Sequence, residues 1–89
     1  MMRSGNKPIC LSGHAKQQLS FRGTTEAEVV DAIRRSEWLP AELGRLECKR
    51  EFSFNSEWNG KRYATKQVRP IFIEGEDEIV VVTVYVYYY

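Results

Sequence analysis

Histidine is almost missing from this chain: His14 is the only imidazole in 89 residues. Cysteine is nearly as scarce, with Cys10 and Cys48 alone. One His and two Cys do not supply the three or four suitably spaced ligands of a zinc site, so neither a metal nor another cofactor is expected. The segment MMRSGNKP has no apolar stretch of the kind a secretory leader carries. Two thiols without a leader read as free cysteines in a reducing cytoplasm. The longest apolar run, Ile79–Tyr89, falls well short of the roughly 20 residues of a membrane-spanning helix, so no membrane partner is expected. No excess of one charge exists either. The net charge is +1, which argues against a strong electrostatic grip on nucleic acid. Repeats, linkers and low-complexity tracts are absent. A single domain over residues 1–89 follows, with polar Met1–Lys7 frayed. A chain this short buries only about 60–65% of its unfolded surface, so its core is thin.

The charge that is present comes in blocks. Segments 1–25, 26–44, 45–69 and 70–89 carry +4, −3, +4 and −4. Folding can gather such blocks into basic and acidic faces.

Pro8–Leu11 suits a short strand, and Ser12 then caps a helix over Gly13–Arg22. Ala15, Leu19 and Arg22 share one helical stripe, and Gly23 stops the helix. Thr25-Glu26-Ala27-Glu28 reads as a capping box that opens a second helix. Val29, Val30 and Ile33 form its apolar face, with Ala32 at the margin. Pro40 ends the helical region near Ser36 or Glu37, leaving Trp38 and Leu39 in the exit loop to lid one end of the core.

Beyond Gly44 the period changes to alternation. Leu46, Cys48, Phe52 and Phe54 share a face that Arg50 interrupts. Asn59-Gly60 is a hairpin signal, because both residues tolerate the positive φ of a type I′ turn. Pro70 predicts an edge or a bend in the return strand. Ile79–Tyr88 is apolar on both sides and reads as a central strand. Its Val80, Val82, Val84 and Val86 row is expected to receive the helices, with Ile79, Val81, Thr83, Tyr85 and Tyr87 on the opposite face. The expected class is α+β: two N-terminal helices on one face of a twisted antiparallel sheet of three or four strands, in the order β-α-α-β-β-β.

His14-Ala15, then Phe21-Arg22-Gly23-Thr24, then EVVDAI, then the closing IVVVTVY over Ile79–Tyr85 make a recognisable succession. It resembles the small bacterial domain-of-unknown-function family 4258, over most of the chain. That family is similar in layout to RelE-type toxins and small metal-independent ribonucleases. The resemblance implies RNA bound on the open sheet face, with an RNA or ribosome target and an antitoxin protein as partners.

Metal-free RNA cleavage needs a base for the 2′-hydroxyl, an acid for the departing 5′ oxygen and cations for the transition state. Histidine is the one side-chain type whose ordinary pKa lies near neutrality, which makes His14 the candidate acid or base. Arg22 follows about 12 Å along the same helix. With Tyr85 these are the candidate catalytic residues. Lys49, Arg50, Lys66, Arg69, Thr83 and Tyr87 are the candidate RNA-binding residues, the last by stacking a base. Two other readings stay open. One is a non-catalytic protein-interaction module, with the basic residues scattered. The other, compatible with either, is a homodimer through the tyrosine-rich C-terminal strand.

Overall fold

The computed structural model describes residues 7–89. Met1–Asn6, most of the segment expected to fray, lie outside the described residues. Lys7 is held: its Nζ is 3.2 Å from Glu74 Oε2 and donates to the Gly75 carbonyl at 2.7 Å, while Arg34 donates to the Lys7 carbonyl.

The elements run β1 (Ile9–Leu11), α1 (Gly13–Arg22), α2 (Glu26–Arg35), β2 (Leu39–Pro40), a 3₁₀ turn (Glu42–Gly44), β3 (Leu46–Glu47), β4 (Arg50–Trp58), β5 (Lys61–Glu74) and β6 (Ile79–Tyr88). The class is α+β, as expected. Among the described residues the sheet has six strands rather than three or four, because two short strands flank the 3₁₀ turn. Its order is β1-β6-β5-β3-β2, with β4 also on β5. All pairings are antiparallel except β1 on β6.

Both helix starts follow from local chemistry. Ser12 Oγ accepts from Ala15 N at 3.0 Å, and Thr25 Oγ1 accepts from Glu28 N at 3.2 Å. Each bond satisfies one of the orphan amides of a first turn. Only half of the capping box forms. The Glu28 carboxylate turns instead to the Thr24 hydroxyl and to Lys66. Gly23 ends α1 in the left-handed region at φ 76°.

Leu11, Ala15, Val29, Ala32, Ile33, Cys48, Val68, Phe72, Ile79, Val81 and Val84 form the core between the helices and one sheet face. Ala32, read as marginal, is fully buried. Trp38 does close one end: its ring meets Phe72 edge-on at 5.0 Å, and its Nε1 donates to the Ile33 carbonyl at 2.7 Å. Leu39 does not join it, because it lies in β2 with its side chain exposed.

The valine row of β6 does not stay on one face. Ile71 pairs with Thr83 but Phe72 pairs with Val81, so Val82 is an extra residue, a bulge. One extra residue inverts the alternation on either side of it. Ile79 and Val81 therefore join Val84 in the core, and Val80 does not. After the bulge the expected phase returns, with Thr83, Tyr85 and Tyr87 opposite Ile71, Arg69 and Gln67 on the open face.

Pro70 neither ends β5 nor leaves it at an edge. The strand runs 14 residues and is the central one, with β6 on one side and β3 and β4 on the other. The neighbouring strand is instead interrupted at Cys48–Lys49, between the segments that pair with Ile71–Phe72 and with Lys61–Val68. A residue without an N–H is accommodated where the ladder is already broken.

Strand β6 is inner only in part, since β1 pairs with Ile79–Val81 alone. Beyond that, α1 takes the strand's place at the edge. Ser12 N donates to the Val81 carbonyl at 2.9 Å, and the Gln18 side-chain oxygen accepts from Val84 N at 2.8 Å.

Candidate functional site

The bulge and the edge position of α1 together create the candidate site. The bulge keeps Thr83, Tyr85 and Tyr87 on the open face. The edge position lets α1 reach round to them. Gln18 Oε1 accepts from the Thr83 hydroxyl at 2.9 Å as well as from Val84 N. One turn further along α1, the Arg22 guanidinium lies over the Tyr85 ring at 5.6 Å from its centroid. From the sheet, Arg69 approaches the same ring at 6.0 Å. Tyr85 is thus contacted by two guanidinium groups, a cation–π arrangement of a kind that stabilises cations at aromatic faces.

Two hollows lie near this point, with no lining residue in common. On the open sheet face, a cleft of about 630 Å³ is lined by Arg69, Thr83, Tyr85 and Tyr87, and by Glu42, Leu43 and Arg45 of the 3₁₀ region. On the outer side of α1, a shallower groove of about 400 Å³ is lined by His14, Gln17, Gln18, Phe21 and Arg22. Arg22 and Gln18 line the groove and also touch Tyr85 and Thr83 of the cleft. His14 is exposed, in the first turn of α1.

Arg69 is not a free cation. Its Nη2 donates to Glu47 Oε1 at 2.7 Å, and its Nη1 contacts the Tyr87 hydroxyl at 3.5 Å. The Glu47 bond holds its pKa above the ordinary arginine value, with partial desolvation opposing. A carboxylate beside it lowers the positive potential that a phosphate would meet.

Of the nine residues read from the sequence as candidates, the structure brings five together, Arg22, Arg69, Thr83, Tyr85 and Tyr87, and puts His14 in the groove that Arg22 shares, outside the cleft. Three stand elsewhere. Lys66 lies on the helix-facing side, its Nζ 2.8 Å from Glu28 Oε1 and 3.0 Å from the Gly23 carbonyl. Arg50 also faces the helices. Its Nε is 2.8 Å from Asp31 Oδ2, but the N–H does not point at that oxygen, so the contact is an ion pair without an aligned hydrogen bond. Asp31 also receives Arg35 at 2.9 Å. Lys49 is exposed beside Arg50, Glu51 and Gln67, at a separate shallow hollow near β4. The physical reason is alternation. Lys66, like Val68, occupies the helix-facing phase of β5, whereas Arg69 has the opposite phase.

Sequence reasoning passed over Gln18, Phe21, Glu42, Arg45 and Glu47. Gln18 was legible, four residues after His14 and four before Arg22, hence on one helix face. The contributions of Glu42 and Arg45 were not, because they depend on how the 3₁₀ region folds over the sheet. That region holds Leu43 at φ 60°, unusual for a non-glycine residue.

Among the described residues, no group of three or more His, Cys, Asp or Glu side chains is placed to hold a metal ion. No described helix is long and apolar enough to cross a membrane. No protein-family model, curated protein or solved structure matches this chain.

Proposed function

We propose that this protein is RNA-directed: a metal-independent ribonuclease or translation-blocking toxin of RelE-like type, with single-stranded RNA held along the seam between α1 and the open sheet face. The observation that carries this reading is Tyr85 between Arg22 and Arg69, with Tyr87 and Thr83 alongside. Aromatic faces interleaved with guanidinium groups suit unstacked bases and phosphates. His14 stands in the groove that Arg22 shares.

In the proposed step the 2′-oxygen gives its proton to His14 and bonds to phosphorus. The bond from phosphorus to the 5′ oxygen breaks. That oxygen takes a proton, for which the Tyr85 phenol is the candidate donor. The products are a 2′,3′-cyclic phosphate and a 5′-hydroxyl. Arg22 supports the added charge on the phosphoryl oxygens.

The test has two arms. The purified protein is incubated with single-stranded RNA in excess chelator, and the wild type and His14→Ala are induced in bacteria with growth and RNA integrity followed. The reading expects cleavage that persists in chelator, arrest by the wild type and loss of both in the variant. Binding without cleavage by either protein removes His14 chemistry and leaves RNA holding. Arg22→Ala is expected to weaken binding and to reduce the salt slope of log K by about 1, as for the loss of one phosphate contact.

A specific observation favours a second reading, a non-catalytic module that docks an antitoxin-like protein. Leu43 is 85% exposed at the cleft rim, and Tyr85, Tyr87 and Tyr89 add further exposed aromatic surface. The same face is where a homodimer would form, because the outer edge of β6 is occupied by β1 and α1. Absence of RNA binding, with no growth arrest by the wild type or by His14→Ala, would select that reading.

A further inference from the structure

Helix α1 carries an aromatic side chain that neither the fold nor the proposed chemistry uses. Phe21 is 82% exposed, on a helix whose only fully buried residue is Ala15. It lies seven residues after His14, two helical turns along the same face, and next to Arg22. All three line one groove. At that exposure Phe21 adds little packing to the fold and leaves apolar surface in water.

Resting on the RNA-directed reading above, we infer that Phe21 is a base-stacking platform. It holds one nucleotide on the α1 side of Arg22, while Tyr87 holds a neighbouring one on the sheet side. Three features support this. First, aromatics flank the cation on both sides: Phe21 precedes Arg22 in the groove, and beyond Arg22 come Tyr85 and then Arg69, which contacts Tyr87. Second, the Gln17 amide lies in the groove, within the same helical turn as Phe21, where it can bond a base edge or a ribose hydroxyl. Third, the Phe21 ring is exposed, so its face is open to a base. The substrate class is therefore unpaired RNA with two splayed bases on either side of one phosphate. Paired RNA keeps its bases stacked on one another and does not present them to side chains.

The inference is tested on the full chain with a fluorescein-labelled single-stranded hexaribonucleotide and a hairpin duplex of the same composition, by anisotropy. Variants are Phe21→Ala, Phe21→Trp and Arg22→Ala, each with a thermal melt to show an unchanged fold. Expected are preference for the single strand, binding weaker by about fivefold or more in Phe21→Ala, and recovery by Phe21→Trp, since ring-on-base stacking is sequence-tolerant and worth about 5- to 150-fold per base. If Phe21→Ala binds like the wild type while Arg22→Ala binds weakly, the platform is wrong and the RNA-directed reading stands. Equal affinity for duplex and single strand also overturns the platform. If the wild type binds neither RNA, both fall.

Discussion

Replacing Lys66 by methionine separates a structural lysine from an RNA-binding one. Its side chain is 8% exposed and bridges Glu28 Oε1 at 2.8 Å and the Gly23 carbonyl at 3.0 Å, with the Phe54 ring at 5.6 Å. The ammonium therefore ties β5 to the start of α2 and to the turn between the helices. Lys66→Met keeps the stem and the volume but leaves a carboxylate and a carbonyl without that donor. Breaking a fully buried pair costs about 3–5 kcal/mol. The Glu28 side chain is still 26% exposed and keeps its bond from Thr24, so water and one hydroxyl recover part of this. The expected loss is about 2–3 kcal/mol. At about 4–8 °C per kcal/mol for a domain of this size, Tm falls by roughly 10–20 °C. Circular dichroism melts and urea titrations at pH 7 measure it. The double variant Lys66→Met/Glu28→Leu is expected to recover much of the loss, because an apolar pair leaves no charge unpartnered. RNA affinity of the folded single variant is expected to stay within about twofold, since Lys66 makes no phosphate contact on this reading. An unchanged Tm together with weakened RNA binding would refute the assignment.

Gly23→Ala is expected to destabilise by about 2–4 kcal/mol, from the left-handed backbone and from overlap of the new Cβ with the Tyr88 hydroxyl and the Trp58 ring; a melt within a few degrees of wild type would contradict the packing. Burial, with the Glu28 charge adding to it, holds the Tyr88 phenol above its ordinary value of 10.0. The unfolded chain releases this proton first, so stability falls as pH rises above that value, and Tyr88→Phe is expected to flatten the alkaline limb of a stability–pH profile. Tyr89, raised mainly by its bond to Glu51, keeps part of that slope in the variant. The Cys10 thiol bonds to the Glu78 carboxylate at 3.4 Å and is held above its ordinary value of 9.0 by that contact. Glu78→Ala is expected to speed its reaction with a disulfide reagent at pH 8, while Cys48, 1% exposed, stays unreactive until unfolding; an unchanged rate for Cys10 would refute the coupling.

Much of the architecture could be read from local patterns. Both helices begin at Ser12 and Thr25, where hydroxyls replace missing backbone acceptors, and α1 stops at Gly23. The hairpin turns at Asn59-Gly60, both with positive φ. These features depend on a few neighbouring residues, so they survive without knowledge of the rest. The candidate site was legible in half-measure. Thr83, Tyr85 and Tyr87 share one face by alternation alone, and Arg69 was one of four sheet cations read from the sequence, whose place opposite Tyr85 only the register decides. Lys66 and Arg50 misled, because a basic residue in a strand looks the same whether it faces water or an acidic helix.

The chain's own order of residues determined the class, the helix ends and the hairpin, because caps, turns and periodicity act within a few positions. Only the tertiary structure decided that Val82 is extra, that α1 replaces a strand beside β6, and that Glu28 and Asp31 pair with two of the sheet cations. Those outcomes come from contacts between residues 9 to 66 positions apart, where register and packing compete and no local pattern records the result.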